Sequence, residues 1–379
     1  MKKRKLKKLP IILLILILML ILGLFIWWLL SLNEDVPSNT NTKSTKTEEK
    51  KVEEEKRMSL VMVGDCLIHG AVYMDARTGS NTYDFSGMIE EVKPLIEKYD
   101  LKYYNQETII GGKNLGVSHY PRFNSPDEIG DNMVSLGFNL VSLANNHALD
   151  KGEEAILYSN NYWKNKNVIT AGTYSSEEDR DDIKIYEQNG IKYAFLAYTT
   201  TTNGLSTESG KEYLVNVYSD AQAKEDIEKI KDKADVIIVS MHWGEEYVFD
   251  PTESQKEIAK YLSSLGVNLI IGSHPHVIQP VDYIDDTLVI YSLGNFLSGQ
   301  RPMGIDKIIG LMVGLDIVVK EDKVTFENID KSLLYTYSTT YDTDYKVYPF
   351  SRLNDNILNG YKELEMEYMA IVNKEVNYD

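Results

Sequence analysis

Residues 267–276 read VNLIIGSHPH, an apolar run that ends in glycine, serine and two histidines. Short runs of Val, Ile and Leu between amphipathic stretches are typical of buried strands in an α/β fold. On an extended segment, residues two apart project to the same face, and Pro275 stiffens the backbone between His274 and His276. The stretch therefore predicts a buried strand that brings two imidazoles together just beyond its carboxyl end.

Five more apolar runs have the character of buried strands, at residues 59–64, 101–105, 138–144, 192–198 and 236–240. Helical spacing appears at residues 85–99, 125–136, 153–165, 220–233, 254–265 and 354–372. Further runs, at residues 287–291, 308–319 and 323–328, have no helices between them. These last runs predict a second, antiparallel sheet or a sheet edge, so the chain as a whole reads as an α/β fold.

Polar residues follow the ends of these predicted strands. They include Asp65, Glu107, Asn146, His147, His242, His274 and His276. In open α/β sheets, ligands bind outside the carboxyl ends of the strands. Any one histidine, taken singly, is better explained as a core or loop residue. As a set, imidazole, carboxylate and carboxamide groups are ligands for Mn²⁺, Fe or Zn²⁺, and two such ions about 3.5–4 Å apart clamp a phosphoryl group and generate a hydroxide.

Three other polar residues have two interpretations each. Asp150 is either a carboxylate that orients His147 or the N-cap of the helix that follows. Arg122 either binds an anionic substrate or is an ordinary surface arginine. Asn295 either shapes the substrate cleft or is a turn residue that tolerates a positive φ.

The first thirty residues predict a membrane anchor. Six of the chain's 40 basic residues lie within residues 2–8, and the uncharged residues 9–30 end near Trp27 and Trp28. About 20 apolar residues span a bilayer, and basic residues stay on the cytoplasmic side. A cleavable signal peptide has a shorter apolar region and a small-residue cleavage site, which residues 31–40 do not offer. We expect residues 1–8 in the cytoplasm, a single span over 9–30 and an extracellular C-terminal domain in the cell membrane.

The predicted extracellular part starts with a polar linker at residues 31–58, and the domain itself is predicted over residues 59–379. Outside residues 1–8 the chain holds 34 basic and 57 acidic residues, a net charge of −23. This charge excludes nucleic acid as an expected partner, because a phosphate backbone is bound mainly by Lys and Arg. The single cysteine excludes a disulfide scaffold and a cysteine-rich zinc module.

Six motifs resemble the signature blocks of the CapA (PgsA) family, which is named for capsule poly-γ-glutamate synthesis. They are GDCLIHG from Gly64, NQE from Asn105, ANNHALD from Ala144, HWGEEY from His242, GSHPHVIQP from Gly272 and YSLGNF from Tyr291. This family is similar in turn to the calcineurin-like metallophosphoesterases. The resemblance, which covers residues 59–315, implies a metallophosphoesterase-like two-sheet sandwich flanked by helices, placed after the N-terminal transmembrane helix.

The resemblance also implies roles for the polar residues. One metal would be held by Asp65, Glu107 and His276. The other would be held by Glu107, as the bridging ligand, with Asn146, His242 and His274. His147 would face the substrate and donate to the leaving oxygen.

The chain departs from the phosphoesterase pattern at two positions. Leu67 stands where those enzymes carry a histidine ligand, so His69 or water would fill that position. Glu107 stands where they carry an aspartate, which is one methylene shorter. One or two divalent ions are therefore expected.

Three functions follow as expectations. The first is synthesis, export or attachment of poly-γ-glutamate or another anionic polymer, beside membrane-embedded synthesis partners. The second is a cell-surface metal-dependent phosphoesterase that acts on a wall or lipid phosphate ester. The third is a non-catalytic module that binds polymer, since one fold hosts many functions. A chain with a net charge of −23 outside residues 1–8 repels polyglutamate, so bound cations or a local Arg and Lys patch would have to offset that charge.

Overall fold

The computed structural model of the chain describes residues 17, 19–28, 55–300 and 304–378. Residues 19–28 are helical, and among the described residues no helix combines the length and the apolar character that a bilayer span requires. Segment 1–8, most of the linker 31–58 and the two ends of the proposed anchor fall outside these ranges. The chain divides into two units, Met1–Val52 and Glu53–Asp379, and every element labelled below lies in the second.

The strands of the second unit, as described, are β1 (Lys56–Leu67), β2 (Leu101–Gln106), β3 (Leu140–Ser142), β4 (Ile169–Ala171), β5 (Ile185–Gln188), β6 (Ile191–Thr199), β7 (Val236–His242), β8 (Leu269–Ser273), β9 (Val281–Ile284), β10 (Thr287–Ile290), β11 (Asn295–Ser298), β12 (Ile309–Lys320), β13 (Lys323–Tyr337) and β14 (Lys346–Pro349). The helices are α1 (Gly70–Asp75), α2 (Ser86–Ile89), α3 (Lys93–Ile96), α4 (Asp127–Leu136), α5 (Gly152–Lys164), α6 (Glu177–Asp181), α7 (Asp220–Ile230), α8 (Glu253–Ser264) and α9 (Tyr361–Val372).

These strands form two sheets. The first has the order β14-β13-β12-β1-β2-β3-β4, with β11 also paired to β1, and the second has the order β5-β6-β7-β8-β10-β9. Strands β1 to β4 are parallel, as are β6, β7, β8 and β10. The late strands β12, β13 and β14 form an antiparallel edge of the first sheet. For the runs at 308–319 and 323–328 the sheet edge is therefore the observed arrangement, whereas the run at 287–291 is β10, which lies in the second sheet parallel to β8.

The alternation of side chains along β1 explains why the first sheet is covered on both faces. Leu60 and Met62 lie in a core that also contains Ile238 of β7 and Ile271 of β8, between the two sheets. Their neighbours Val61 and Val63 face the other way and pack with residues of α4. Successive residues of a strand point to opposite faces, so a strand that is apolar throughout needs cover on both sides. The second sheet is covered in the same way by α7 and α8, and the predicted two-sheet α/β sandwich flanked by helices is confirmed.

Local signals set the helix ends. Helix α8 begins with a capping box, in which the Thr252 side chain accepts from Gln255 N and the Gln255 side chain accepts from Thr252 N. The helix predicted over 85–99 is instead broken into α2, a 3-10 turn and α3. Pro94, at the start of α3, has no backbone N–H to continue a helix.

Two glycines allow the strand ends near the polar motifs to approach each other. A Cβ on Gly64 would lie 1.8 Å from the carbonyl oxygen of Gly294, and one on Gly272 would lie 1.9 Å from that of Tyr291. Any other residue at these positions would collide with backbone. The two glycines stand one and two residues before Asp65 and His274, so close backbone packing positions both side chains.

Candidate metal centre

The candidate ligands come from both sheets and meet at one edge of the sandwich. Asp65 lies near the end of β1, His242 is the last residue of β7, and the others follow β2, β3 and β8. All six are buried; they are Asp65, Glu107, Asn146, His242, His274 and His276. The parallel strands therefore deliver their polar carboxyl ends to a common place, as ligand sites in α/β sheets require.

Short contacts connect the six side chains. His242 Nε2 lies 3.0 Å from His274 Nδ1 and 3.1 Å from Asn146 Oδ1. His276 Nδ1 lies 3.5 Å from Asp65 Oδ2, and His276 Nε2 lies 3.6 Å from Glu107 Oε1. His242 Nε2 is also 3.8 Å from Glu107 Oε1. Glu107 is thus in contact range of both groups of ligands.

The backbone at His274 and His276 is not extended, so the prediction of an extended segment through Pro275 is wrong. Strand β8 ends at Ser273, and His274 and His276 have φ values of +101° and +57°. Residues with a side chain rarely adopt positive φ, and such strain is typical of functional sites. The sharp turn, and not strand alternation, brings the two ring centroids to 6.0 Å from each other.

Glu107 provides the clearest indication of a cation-binding site. Its side chain is fully buried, and neither carboxylate oxygen has a hydrogen-bond partner. Burial raises the pKa of Glu107 well above its usual range, because nothing nearby solvates the charge. Glu107, His274 and His276 present ligand atoms that all lie within 4.8 Å of one another. A divalent cation fits this donor set and satisfies both orphaned oxygens.

Two of the three candidate imidazoles are held in the neutral form that binds metals, whereas the carboxylates of Glu107 and Asp65 outweigh the effect of burial and raise the pKa of His276 to about 9. Burial lowers the pKa of His242 well below its usual value, and burial also lowers the pKa of His274 to about 4. Both rings are therefore neutral at pH 7 and keep a nitrogen lone pair.

Three polar residues orient the candidate ligands. Asn105 Nδ2 donates to Asp65 Oδ1 over 2.9 Å, and Ser273 Oγ lies 3.0 Å from His242 Nδ1. Asn295 Oδ1 lies 3.1 Å from His276 Nδ1. Partners of this kind fix the orientation of metal-binding side chains. Sequence analysis missed the roles of Asn105 and Ser273, although both stand inside motifs that it singled out.

The structure corrects the interpretation of Asn295 as a turn residue. Asn295 begins β11 and is 1% exposed, and the positive φ belongs to the preceding Gly294. Its side chain contacts His276, which lines the cleft, and the carbonyl of Lys307. Pairing of β11 with β1 buries the position, which local sequence does not reveal.

The Asp150 carboxylate orients His147. Asp150 Oδ2 lies 2.8 Å from His147 Nδ1 and also accepts from Phe123 N over 2.7 Å. The N-cap of α5 is Lys151, without a side-chain cap, so Asp150 does not cap this helix. Since Asp150 holds Nδ1, the nitrogen of His147 that remains for a ligand is Nε2.

A cleft of about 810 Å³ opens beside the candidate ligands. His147 and His276 form part of its lining, with Phe123, Tyr247 and His69. His69 Nδ1 lies 3.1 Å from the carbonyl of Leu67, and His69 is not part of the group formed by Glu107, His274 and His276. Arg122 does not line this cleft; it lines a smaller, neighbouring pocket.

Comparison with known proteins assigns the chain to a family. Residues 59–300 match the family described as "Bacterial capsule synthesis protein PGA_cap". The chain belongs to this family. In this PGA_cap chain, all six candidate ligands, with His147, Asp150 and Asn295, lie inside the matched residues, whereas β12 to β14 and α9 follow them.

Two curated relatives of the PGA_cap chain come from Bacillus species. It is 30% identical over 176 residues to the "PGA biosynthesis protein CapA" of Bacillus subtilis (strain 168), which is 44% of each chain. It is 27% identical over 262 residues to the "Capsule biosynthesis protein CapA" of Bacillus anthracis, which is 65% of this chain and 61% of that one. The match thus spans less than two thirds of either relative.

Among solved structures, the PGA_cap chain is similar to the calcineurin-like phosphoesterase YfkN from Bacillus subtilis. The two are 16% identical with a TM-score of 0.45, over 83% of this chain and 99% of that one.

Proposed function

We propose that this chain acts in the synthesis, export or attachment of poly-γ-glutamate or another anionic capsule polymer, through a divalent-metal centre beside the cleft. Membership of the PGA_cap family and the names of the two CapA relatives support the polymer. The metal centre is supported by Glu107, which is buried among imidazoles with both carboxylate oxygens unpaired.

In this proposal the ligands divide as the family resemblance implies. One ion would be held by Asp65, Glu107 and His276, and a second by Glu107, Asn146, His242 and His274. A bound divalent ion supplies Lewis-acid chemistry toward an ester or acyl oxygen. When its ring is protonated, His147 donates from Nε2 to the leaving oxygen, and Asp150, which lies 2.8 Å from Nδ1, orients the ring and stabilises its positive charge.

The His147–Asp150 pair favours a second candidate, a cell-surface phosphoesterase that acts on a wall or lipid phosphate ester. His147 lines the cleft with Nδ1 held at 2.8 Å from a buried carboxylate, an arrangement suited to proton transfer. A module that only binds polymer has no need of this pair.

We also propose that the chain is anchored in the cell membrane, with residues 59–379 outside the cell and membrane-embedded synthesis proteins as partners. The basic residues 2–8 and the apolar residues 9–30 support this orientation. Protease added to intact protoplasts should digest the C-terminal domain, and full protection of that domain would contradict the orientation.

Metal analysis of the purified full-length chain tests the metal centre. After dialysis against Mn²⁺, the wild type should retain a stoichiometric ion, and His276→Ala should lose most of it. His119→Ala is the matched control, because His119 lines the cleft but contacts none of the candidate ligands. A wild type without bound metal across Mn²⁺, Fe²⁺ and Zn²⁺ would refute the proposal.

Measurement of hydrolysis distinguishes a catalytic function from a module that only binds polymer. With bis(p-nitrophenyl) phosphate as the probe, His147→Ala should abolish hydrolysis and keep its metal. A metal-loaded wild type that hydrolyses neither this ester nor γ-linked glutamate would leave the binding module as the function.

A further inference from the structure

A second pocket, of about 470 Å³, adjoins the metal cleft. Asp150 lines this pocket and contacts His147 and Phe123, which line the cleft. The Asp150 side chain and the Arg122–Phe123 segment therefore separate the two cavities. The charged residues that line the second pocket are Arg122, Asp150, Lys151, Glu153, Glu208 and Lys211.

The acidic side chains of this pocket are already engaged within the protein. Asp150 is held by His147 Nδ1 and Phe123 N. Glu153 and Glu208 lie 2.5 Å and 3.0 Å from Lys211 Nζ. None of the three carboxylates is therefore left without a partner.

The two remaining cationic side chains have no partner among the described residues. Arg122 is exposed and Lys151 is half-buried, and the side chain of neither makes a hydrogen bond or an ion pair with any residue in the described part of the chain. Although the formal charges lining the pocket balance, the charges left without a partner are both positive. A planar guanidinium beside an ammonium is suited to carboxylates, which arginine binds through two parallel hydrogen bonds.

Both cations lie next to residues that border the metal cleft. Arg122 directly precedes Phe123 in the cleft wall, and Lys151 directly follows Asp150. Poly-γ-glutamate carries a free carboxylate on every unit. One unit of such a chain can thus be held by the cations while the next unit enters the cleft.

We propose that the pocket lined by Arg122 and Lys151 is an anion subsite that binds the carboxylates of a poly-γ-glutamate strand and positions the neighbouring unit in the metal cleft. This inference rests on the proposed function and names how its substrate is held. It also explains how a chain with a net charge of −23 outside residues 1–8 holds a polyanion, because the attraction to the two unpaired cations is local and the repulsion is spread over the surface.

Fluorescence anisotropy with a labelled γ-linked glutamate decamer tests the subsite on the purified, Mn²⁺-loaded full-length chain. Each of Arg122→Gln and Lys151→Gln should weaken binding about threefold, and the double variant about tenfold, which is the range for solvent-exposed ion pairs. Binding by the wild type should also weaken as salt rises from 0.05 M to 0.5 M.

A matched control removes the same charge elsewhere. Lys231→Gln with Lys323→Gln changes two exposed lysines of a separate pocket and should leave binding unchanged. A neutral decamer of γ-linked isoglutamine, in which each free α-carboxylate is an amide, should bind wild type and double variant equally weakly. Thermal melting of each variant should match wild type, because the four replaced side chains make no ion pair with the described residues.

Three results would overturn the subsite: no binding of the decamer by the wild type, equal affinity of the wild type and the double variant, or tighter binding of linear polyphosphate than of the decamer. The metal content of the same samples tests the metal centre separately. A metal-loaded wild type that is insensitive to Arg122 and Lys151 overturns the subsite alone. A metal-free wild type that binds with the expected charge dependence supports the subsite and refutes the metal centre.

Discussion

Replacing Glu107 by glutamine should have opposite effects on the metal-free and the metal-bound protein. In the structure, Glu107 Oε1 lies 3.6 Å from His276 Nε2 and 3.8 Å from His242 Nε2, and both oxygens are unpaired. The amide of Glu107→Gln adds a donor within reach of these nitrogens. An unsatisfied buried group costs about 1–3 kcal/mol, so we expect the free energy of unfolding of the metal-free chain to rise by about that amount.

The same change removes the anionic ligand, so the stabilisation by metal should disappear. For the wild type that stabilisation is about 2.7 kcal/mol when the free metal concentration is 100 times Kd. Urea unfolding in EDTA and in Mn²⁺ measures both effects, with Glu257→Gln on the exposed face of α8 as the control. A variant that is less stable than the wild type in EDTA, yet equally stabilised by Mn²⁺, would refute the reasoning.

Three further predictions concern residues around the centre and in the core. Asp150→Asn should lower turnover about 10–100-fold without loss of metal, because His147 loses the carboxylate at 2.8 Å; kcat and metal content measure this. Arg180→Met should cost about 3–5 kcal/mol in urea unfolding, since Arg180 donates to the buried Asp226 over 2.8 Å and 2.7 Å. Burial lowers the pKa of His69 to about 4, so His69 should contribute a loss of about 3 kcal/mol as pH falls from 6.5 to 4, where only the unfolded chain gains its proton; His69→Gln should reduce the acid loss of stability by that amount.

Each of these predictions has a contradicting result. Wild-type turnover in Asp150→Asn would show that His147 needs no orienting carboxylate. A loss under about 1 kcal/mol in Arg180→Met would show that Asp226 finds another partner or solvent. An unchanged dependence of unfolding on pH in His69→Gln would assign the acid sensitivity to other groups.

Much of the fold was predictable because buried strands are apolar on both faces. The runs at 192–198 and 236–240 correspond to β6 (Ile191–Thr199) and β7 (Val236–His242). Short strands were missed: β11 (Asn295–Ser298) has only four residues, and its place is set by pairing with β1 and not by its own pattern. The apolar spacing of residues 85–99 is helical, but it does not show that Pro94 lacks a backbone N–H. The break in this helix was therefore not predicted.

For the candidate site, local sequence determined which chemical groups stand at the strand ends. Buried parallel strands must end in loops at one edge of a sheet, and the polar residues in those loops can be read directly. Glu107 and His242, each at the end of such a strand, could be named in this way.

Tertiary structure alone decided which atoms meet. Asp65 accepts from the backbone of His274 across 209 positions of sequence, a contact set by how two sheets pack. The same packing turned Asn295 toward His276 and placed Arg122 in the pocket beside the cleft. Periodicity and motif spacing act over a few residues, whereas these distances depend on the close approach of strands that only the folded core brings together.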